Sequence, residues 1–173
     1  MSDIPDIPID ELARLLTASD LRLVTAESCT GGLIAATLTE IAGSSTWFEG
    51  GFVTYRLSAK ERMLGVPAAL LAREGAVSEP VARAMAEGAL HASDAHVSVA
   101  VTGLAGPDGG EPLLPVGTVW FAWALRAPEP RCEHTAVHQL KGDRSAVRAA
   151  AVAIALRGVV ALLGGSNGEH RSN

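Results

Sequence analysis

Aromatic side chains are scarce in this sequence: Phe, Trp and Tyr make up 4% of its 173 residues. Hydrophobic residues still reach 48%, so a substantial core is available, built from small aliphatic side chains. The two cysteines, Cys29 and Cys132, are too few for a disulfide framework. With no signal peptide ahead of them, a reducing cytoplasm is the expected compartment. Basic excess is lacking as well. A formal net charge of −5 argues against nucleic acid or an acidic membrane surface as partner, since either needs a basic face. An anionic ligand must instead be held by a local cationic cluster. No apolar run is a clean bilayer span: the longest, 149–165, contains Arg157 and follows Arg144 and Arg148. It reads as a long buried helix. Neither an internal repeat nor a linker divides the chain, so one domain over 1–173 is expected, with its core at about 9–164 and a disordered tail at 166–173.

What is present is concentrated in Thr25-Ala26-Glu27-Ser28-Cys29-Thr30-Gly31-Gly32. This stretch joins an apolar strand-like run, 21–26, to a helical pattern with Leu33, Ile34, Leu38 and Ile41 at three- and four-residue spacing. Hydroxyls and a thiol thus sit on a strand-to-helix turn, where free backbone N–H groups favour negative charge. The glycines clear space for a ligand. A nucleophile followed by a tight glycine turn at a helix start suits acyl transfer. A helix cap with small packing residues is the plainer alternative.

The remaining pattern alternates helices and strands. Helices are expected at 9–18, 31–42 (stopped by Gly43), from a Ser58 cap to Leu64, from Ser78-Glu79-Pro80 to about Ala92, and at 143–163. Strands are expected at 21–26, 51–55, 95–101, 116–125 and 132–140. The fold class is therefore α/β: a three-layer α/β/α sandwich around a mostly parallel mixed sheet, with a late antiparallel pair.

Few side chains are suited to proton transfer. Only two lysines occur, Lys60 and Lys141; the other cationic residues are arginines. Lysine can act as a base where arginine cannot. Lys60 follows the second strand, and if that strand neighbours the first, its amine comes within reach of Ser28. Such a dyad needs a neutral amine, hence burial or nearby positive charge. A solvated lysine on a short amphipathic helix is the other reading. Cys29 is a rival nucleophile, with greater intrinsic reactivity at a helix N-terminus. Thr102 to Gly110 is a glycine-rich loop after a buried strand, able to expose N–H groups to an anion, or else a plain turn. It is neither a Walker loop nor G-x-G-x-x-G. Arg144 and Arg148 share one face of the last helix, where Arg144 could grip an anion bidentately or simply pair on the surface. His134 and His138 have zincin-like spacing but fall in a strand, which separates them by about 13 Å. No metal site is expected.

Ala26 to Gly32, Gly51-Phe52-Val53-Thr54-Tyr55 with Ala59-Lys60, Gly75-Ala76-Val77-Ser78, Val101 to Pro107, Pro115-Val116-Gly117-Thr118-Val119 and Gly142-Asp143-Arg144 stand in register along the chain. Together these motifs resemble the CinA C-terminal domain family. The resemblance implies nicotinamide-nucleotide amidohydrolysis: nicotinamide mononucleotide gives nicotinate mononucleotide and ammonia, in pyridine nucleotide recycling. It implies Ser28 as nucleophile and Lys60 as general base. It further implies substrate contacts from Tyr55, Thr102 and Arg144, the last to a phosphate. Cys29, Thr30, Gly31, Gly32, Gly103 and Gly106 complete the expected binding loops, with the N–H groups of Cys29 to Gly31 holding the oxyanion. No metal or organic cofactor is needed, the partner is a small pyridine mononucleotide, and a homo-oligomer is the family's habit. Leu57 and Leu114 depart from the family's polar choices, and Ser58 from a lysine in some relatives. These departures raise the question of altered specificity, or of a non-catalytic nucleotide-binding module.

Overall fold

The computed structural model describes residues 7–166. The chain runs α1 (Ile9–Ala18), β1 (Leu23–Glu27), α2 (Leu33–Thr39), a 3-10 turn (Ser44–Thr46), β2 (Phe48–Val53), α3 (Leu57–Leu64), α4 (Ala68–Glu74), α5 (Glu79–His91), β3 (Val97–Gly103), β4 (Thr118–Arg126), β5 (Pro130–Gln139) and α6 (Arg144–Ser166). Past Ser166, the expected tail lies outside the described residues, as does most of the lead-in.

The strands form one sheet in the order β2-β1-β3-β4-β5. β1 pairs parallel with β2 and β3, whereas β4 is antiparallel to both β3 and β5. Only β4 is reversed, as a mostly parallel mixed sheet with a late antiparallel pair requires. All five residues of β1 are buried, because it lies between β2 and β3 and helices cover both faces. One face packs Leu23, Val97, Val99, Val101, Phe121 and Trp123 against α1, α2 and α6. The other packs Val24, Ala26, Ala100, Ala122 and Ala124 against α5, with α4 and the end of α3 outside it. The architecture is three-layered.

Several element boundaries differ from expectation and one helix was not expected; four of these differences have local reasons. α2 starts at Leu33, not Gly31, because Gly31 and Gly32 take φ of +60° and +96°, outside the right-handed helical region. β2 is Phe48–Val53 rather than 51–55, since its pairing follows the whole of β1 from Leu23↔Phe48 to Glu27↔Val53. Ser58 lies inside α3, whose N-cap position is Arg56. α4 had no sequence signal: its seven residues bury only Leu71 fully, too little for a periodic pattern.

α6 is long and apolar enough to cross a membrane by length and composition. In the fold it is a core helix, with Val147, Ala151, Ala155, Leu156 and Val159 in the cluster that also holds β3 and β4. A side chain at Gly158 would collide with the Trp123 ring, so this glycine sets how closely α6 lies on the sheet. Trp123 Nε1 donates to Ala155 O at 2.9 Å.

Candidate active site

From β1 the chain leads to β2 on one side of the sheet, while β3 leads to β4 on the other. Open α/β sheets bind ligands at such a division, outside the carboxyl ends of the strands. Ser28 and Cys29 leave β1 here, Thr102 and Gly103 end β3, and Lys60 enters from α3. With Tyr55, Gly106 and Arg144 they line a cavity of about 270 Å³, completed by Ala76, Val77, Leu104, Ala105 and Asp108. A larger hollow of about 590 Å³ lies between β2 and the end of α5. Its Ser93 hydroxyl is already committed to Ala89 O at 2.7 Å, so volume does not mark the reactive place.

Lys60 is wholly buried. Its Nζ lies 2.9 Å from Ser28 Oγ and donates to Thr54 O at 2.6 Å. Burial disfavours the ammonium and lowers its pKa to about 8. The placement of α3 follows from its packing on α5. At Gly88 a Cβ would overlap the Leu64 carbonyl, so the glycine admits the end of α3 and draws Lys60 inward. Beside it, burial pushes the Cys29 thiol up to about 11, partly offset by its own amide, Lys60 and Arg148. The thiol therefore stays protonated near neutral pH, which weighs against Cys29 as nucleophile.

Two residues without an assigned role in the sequence build the turn. Glu27, buried at the end of β1, accepts N–H groups from Gly32 and Ile34 on Oε2 (3.0 and 3.1 Å) and from Ala35 on Oε1 (2.9 Å). Thr25 Oγ1 donates to it as well, at 3.3 Å. A carboxylate thus satisfies the otherwise orphaned amides of a helix start. A charged residue closing an apolar strand was the available signal for it. Arg148 donates Nε to Cys29 O at 3.1 Å and Nη2 to Thr30 O at 3.0 Å. Its shared face with Arg144 was legible in the spacing; its carbonyl partners were not.

The other expected site residues divide into two groups. Arg144 donates Nη1 to Gly106 O at 2.8 Å and Nη2 to Tyr55 Oη at 3.1 Å, tying the rim of the cavity together. The Thr102 hydroxyl donates to Ala76 O at 2.8 Å, which joins the Gly75–Ser78 motif to the floor. Thr30, Gly31 and Gly32 do not line the cavity. The Thr30 side chain is buried, Gly31 N–H donates to Ser28 O at 3.0 Å, and Gly32 N–H is held by Glu27. Expecting the Gly31 amide to face an oxyanion is therefore a misreading: that donor is used inside the turn. Leu57 and Leu114 do not line the cavity either; Leu114 pairs with Glu111 in a small bridge. His134 and His138 stand on β5, against the rings of Trp123 and Phe121 respectively.

A model of the CinA C-terminal domain matches residues 8–163. The chain belongs to the CinA C-terminal domain family. Among curated relatives in this family, the nicotinamide-nucleotide amidohydrolase PncC of Escherichia coli K12 is 50% identical over 148 residues, covering 86% of this chain and 88% of its own. A CinA-like protein of Akkermansia muciniphila is 61% identical over 118 residues, which is 68% of this chain. That alignment spans only 28% of the longer relative's length. The crystal structure of a CinA superfamily protein from Klebsiella pneumoniae 700603 superposes with a TM-score of 0.84 at 40% identity, covering 91% of this chain and 96% of that one.

Proposed function

We propose that this protein hydrolyses the carboxamide of nicotinamide mononucleotide, giving nicotinate mononucleotide and ammonia, with Ser28 as nucleophile and Lys60 as base. The observation that carries the reading is the buried Lys60 amine 2.9 Å from Ser28 Oγ, with a pKa near 8. The name of the near-full-length E. coli relative supplies the substrate.

In its neutral form, Lys60 keeps one N–H on Thr54 O and turns its lone pair toward the Ser28 hydroxyl. It takes that proton as Oγ bonds to the carboxamide carbon. The resulting oxyanion is met by backbone N–H at the turn. Lys60 then delivers the proton to the departing nitrogen, the C–N bond breaks, and ammonia leaves an acyl ester on Ser28. Water, deprotonated by Lys60, attacks the ester; the bond from the carbonyl carbon to Ser28 Oγ breaks, Oγ recovers its proton from Lys60, and nicotinate mononucleotide is released. Arg144, at the rim between Tyr55 and Gly106, takes the substrate phosphate. The two free, buried cysteines suit a reducing, cytoplasmic setting.

The non-catalytic module drew its support from Leu57 and Leu114, and neither side chain borders the cavity. The deciding experiment is ammonia release from nicotinamide mononucleotide by wild-type and Lys60→Ala protein in the presence of chelator. Release by wild type, lost on substitution, is the expected result. Folded wild type that binds the nucleotide without releasing ammonia would replace this reading with the binding module.

A further inference from the structure

We infer that Arg148 is a positioning residue that sets the oxyanion hole by locking three consecutive peptide planes behind Ser28. This rests on the Ser28 reaction proposed above. The peptides concerned are Ser28–Cys29, Cys29–Thr30 and Thr30–Gly31, and none of them is cis. In a trans peptide the N–H points opposite to the C=O, so fixing one end fixes the other. Arg148 Nη2 holds Thr30 O at 3.0 Å, which aims the Gly31 N–H the other way. That N–H reaches Ser28 O at 3.0 Å and so fixes the Ser28–Cys29 plane. The amide left pointing opposite to Ser28 O is that of Cys29, a residue that lines the cavity beside the nucleophile. Meanwhile Arg148 Nε, on Cys29 O at 3.1 Å, pins the middle plane and with it the Thr30 N–H.

One planar fork thereby controls every peptide from the nucleophile to the glycines. Arg148 itself does not line the cavity, so it touches neither substrate nor reacting atoms. Its grip needs two donors in fixed relative geometry, which a lysine ammonium does not provide. The turn also contains Gly31 at φ +60°, where a Cβ would sit 3.5 Å from Arg148 Nη2. A glycine at this position is free to rotate, so without the fork the Thr30–Gly31 plane has no side-chain restraint of its own. On the far side, Glu27 anchors the amides of Gly32, Ile34 and Ala35. The turn is held from both ends, by a carboxylate on its N–H groups and a guanidinium on its carbonyls.

The test compares wild type, Arg148→Lys and Arg148→Met in ammonia release from nicotinamide mononucleotide across pH. A second readout is formation of a tetrahedral adduct between Ser28 and 3-pyridineboronic acid, followed by boron NMR. Both variants should lose at least tenfold in kcat, with KM and the pH midpoint unchanged, since loss of one oxyanion donor costs about 10²–10³ in kcat. Adduct formation should weaken by a similar factor, while nicotinate mononucleotide binds as before. An Arg148→Lys protein with wild-type kcat would show that charge alone suffices and overturn the fork. An unchanged adduct in both variants would do the same, and an unchanged adduct in Arg148→Lys alone overturns the fork where the Met variant does not fold. A wild type that forms the adduct but releases no ammonia would count against the substrate, not against Arg148.

Discussion

The two faces of the sheet are packed in opposite styles. Toward α1, α2 and α6 the strands present Leu23, Val97, Val99, Val101, Val119, Phe121 and Trp123. Toward α5 they present Val24 and the small Ala26, Ala100, Ala122 and Ala124, met by Ala82, Ala86 and Ala89 of the helix alongside Val81, Met85 and Leu90. The large-residue face removes more apolar area from water per position, and stability follows area. The alanine face buries less, but it lets α5 lie near the strands, and Gly88 then admits the carbonyl end of α3. A lysine on α3 ends up fully enclosed next to the nucleophile. One face of the molecule anchors the fold and the other places the base.

Changes on the two faces should therefore fail differently. The largest effect belongs to the reactive pair: Ser28→Ala or Lys60→Met should lower ammonia release by about 10³-fold or more, with cooperative unfolding retained. On the large-residue face, Phe121→Ala should cost about 3–5 kcal/mol in denaturant unfolding, because Phe121 is fully buried and stacked on Trp123 at a centroid distance of 5.8 Å. The rate per folded molecule should hardly change. Gly88→Ala on the small face should do the reverse. Helix propensity alone favours alanine by about 1 kcal/mol, yet the added methyl meets the Leu64 carbonyl, so a net loss of about 1–3 kcal/mol is expected. As α3 is pushed away, kcat should drop about tenfold even under conditions where the protein remains folded. Stabilisation by Gly88→Ala with full activity would break the distinction between the faces.

Much of this division could be read from the sequence, though unevenly. The element order and the mixed sheet were visible because long apolar runs and glycine or proline punctuation mark each piece. Placing Lys60 beside Ser28 needed only β1 and β2 to be neighbours, which a parallel β-α-β connection makes the simplest choice. Glu27 and Arg148 could be located but not interpreted. Their partners are backbone atoms, and any sequence supplies those, so no residue pattern records the contact. Gly88 was hidden for a related reason: what it accommodates is a carbonyl, not a side chain. α4 escaped notice since a single buried leucine carries no period.

Titration of Lys60 offers the finest test of the small face, because the pKa near 8 is a direct product of burial there. The base works when neutral, so kcat/KM should rise with pH and level off above about 8. At pH 7 only about a tenth of the enzyme has the free amine, so the rate should be about a tenth of the plateau value. Stability moves in the same direction. Below pH 8 both folded and unfolded chains carry the proton, and the folded state bears the full cost of an enclosed ammonium. Between about 8 and the ordinary lysine value of 10.5 the unfolded chain binds more protons than the folded one, so stability attributable to Lys60 increases with pH. Above that range both are neutral and the gain is complete. Thermal unfolding of wild type measured against Lys60→Met, which lacks the titration, should show the difference shifting in favour of wild type from pH 8 to 10. If Gly88→Ala opens the packing over α3, its activity midpoint should lie above that of wild type, since a better-hydrated amine holds its proton longer. A midpoint unmoved by that substitution would separate the pKa from the alanine face and assign it to the turn around Ser28 instead.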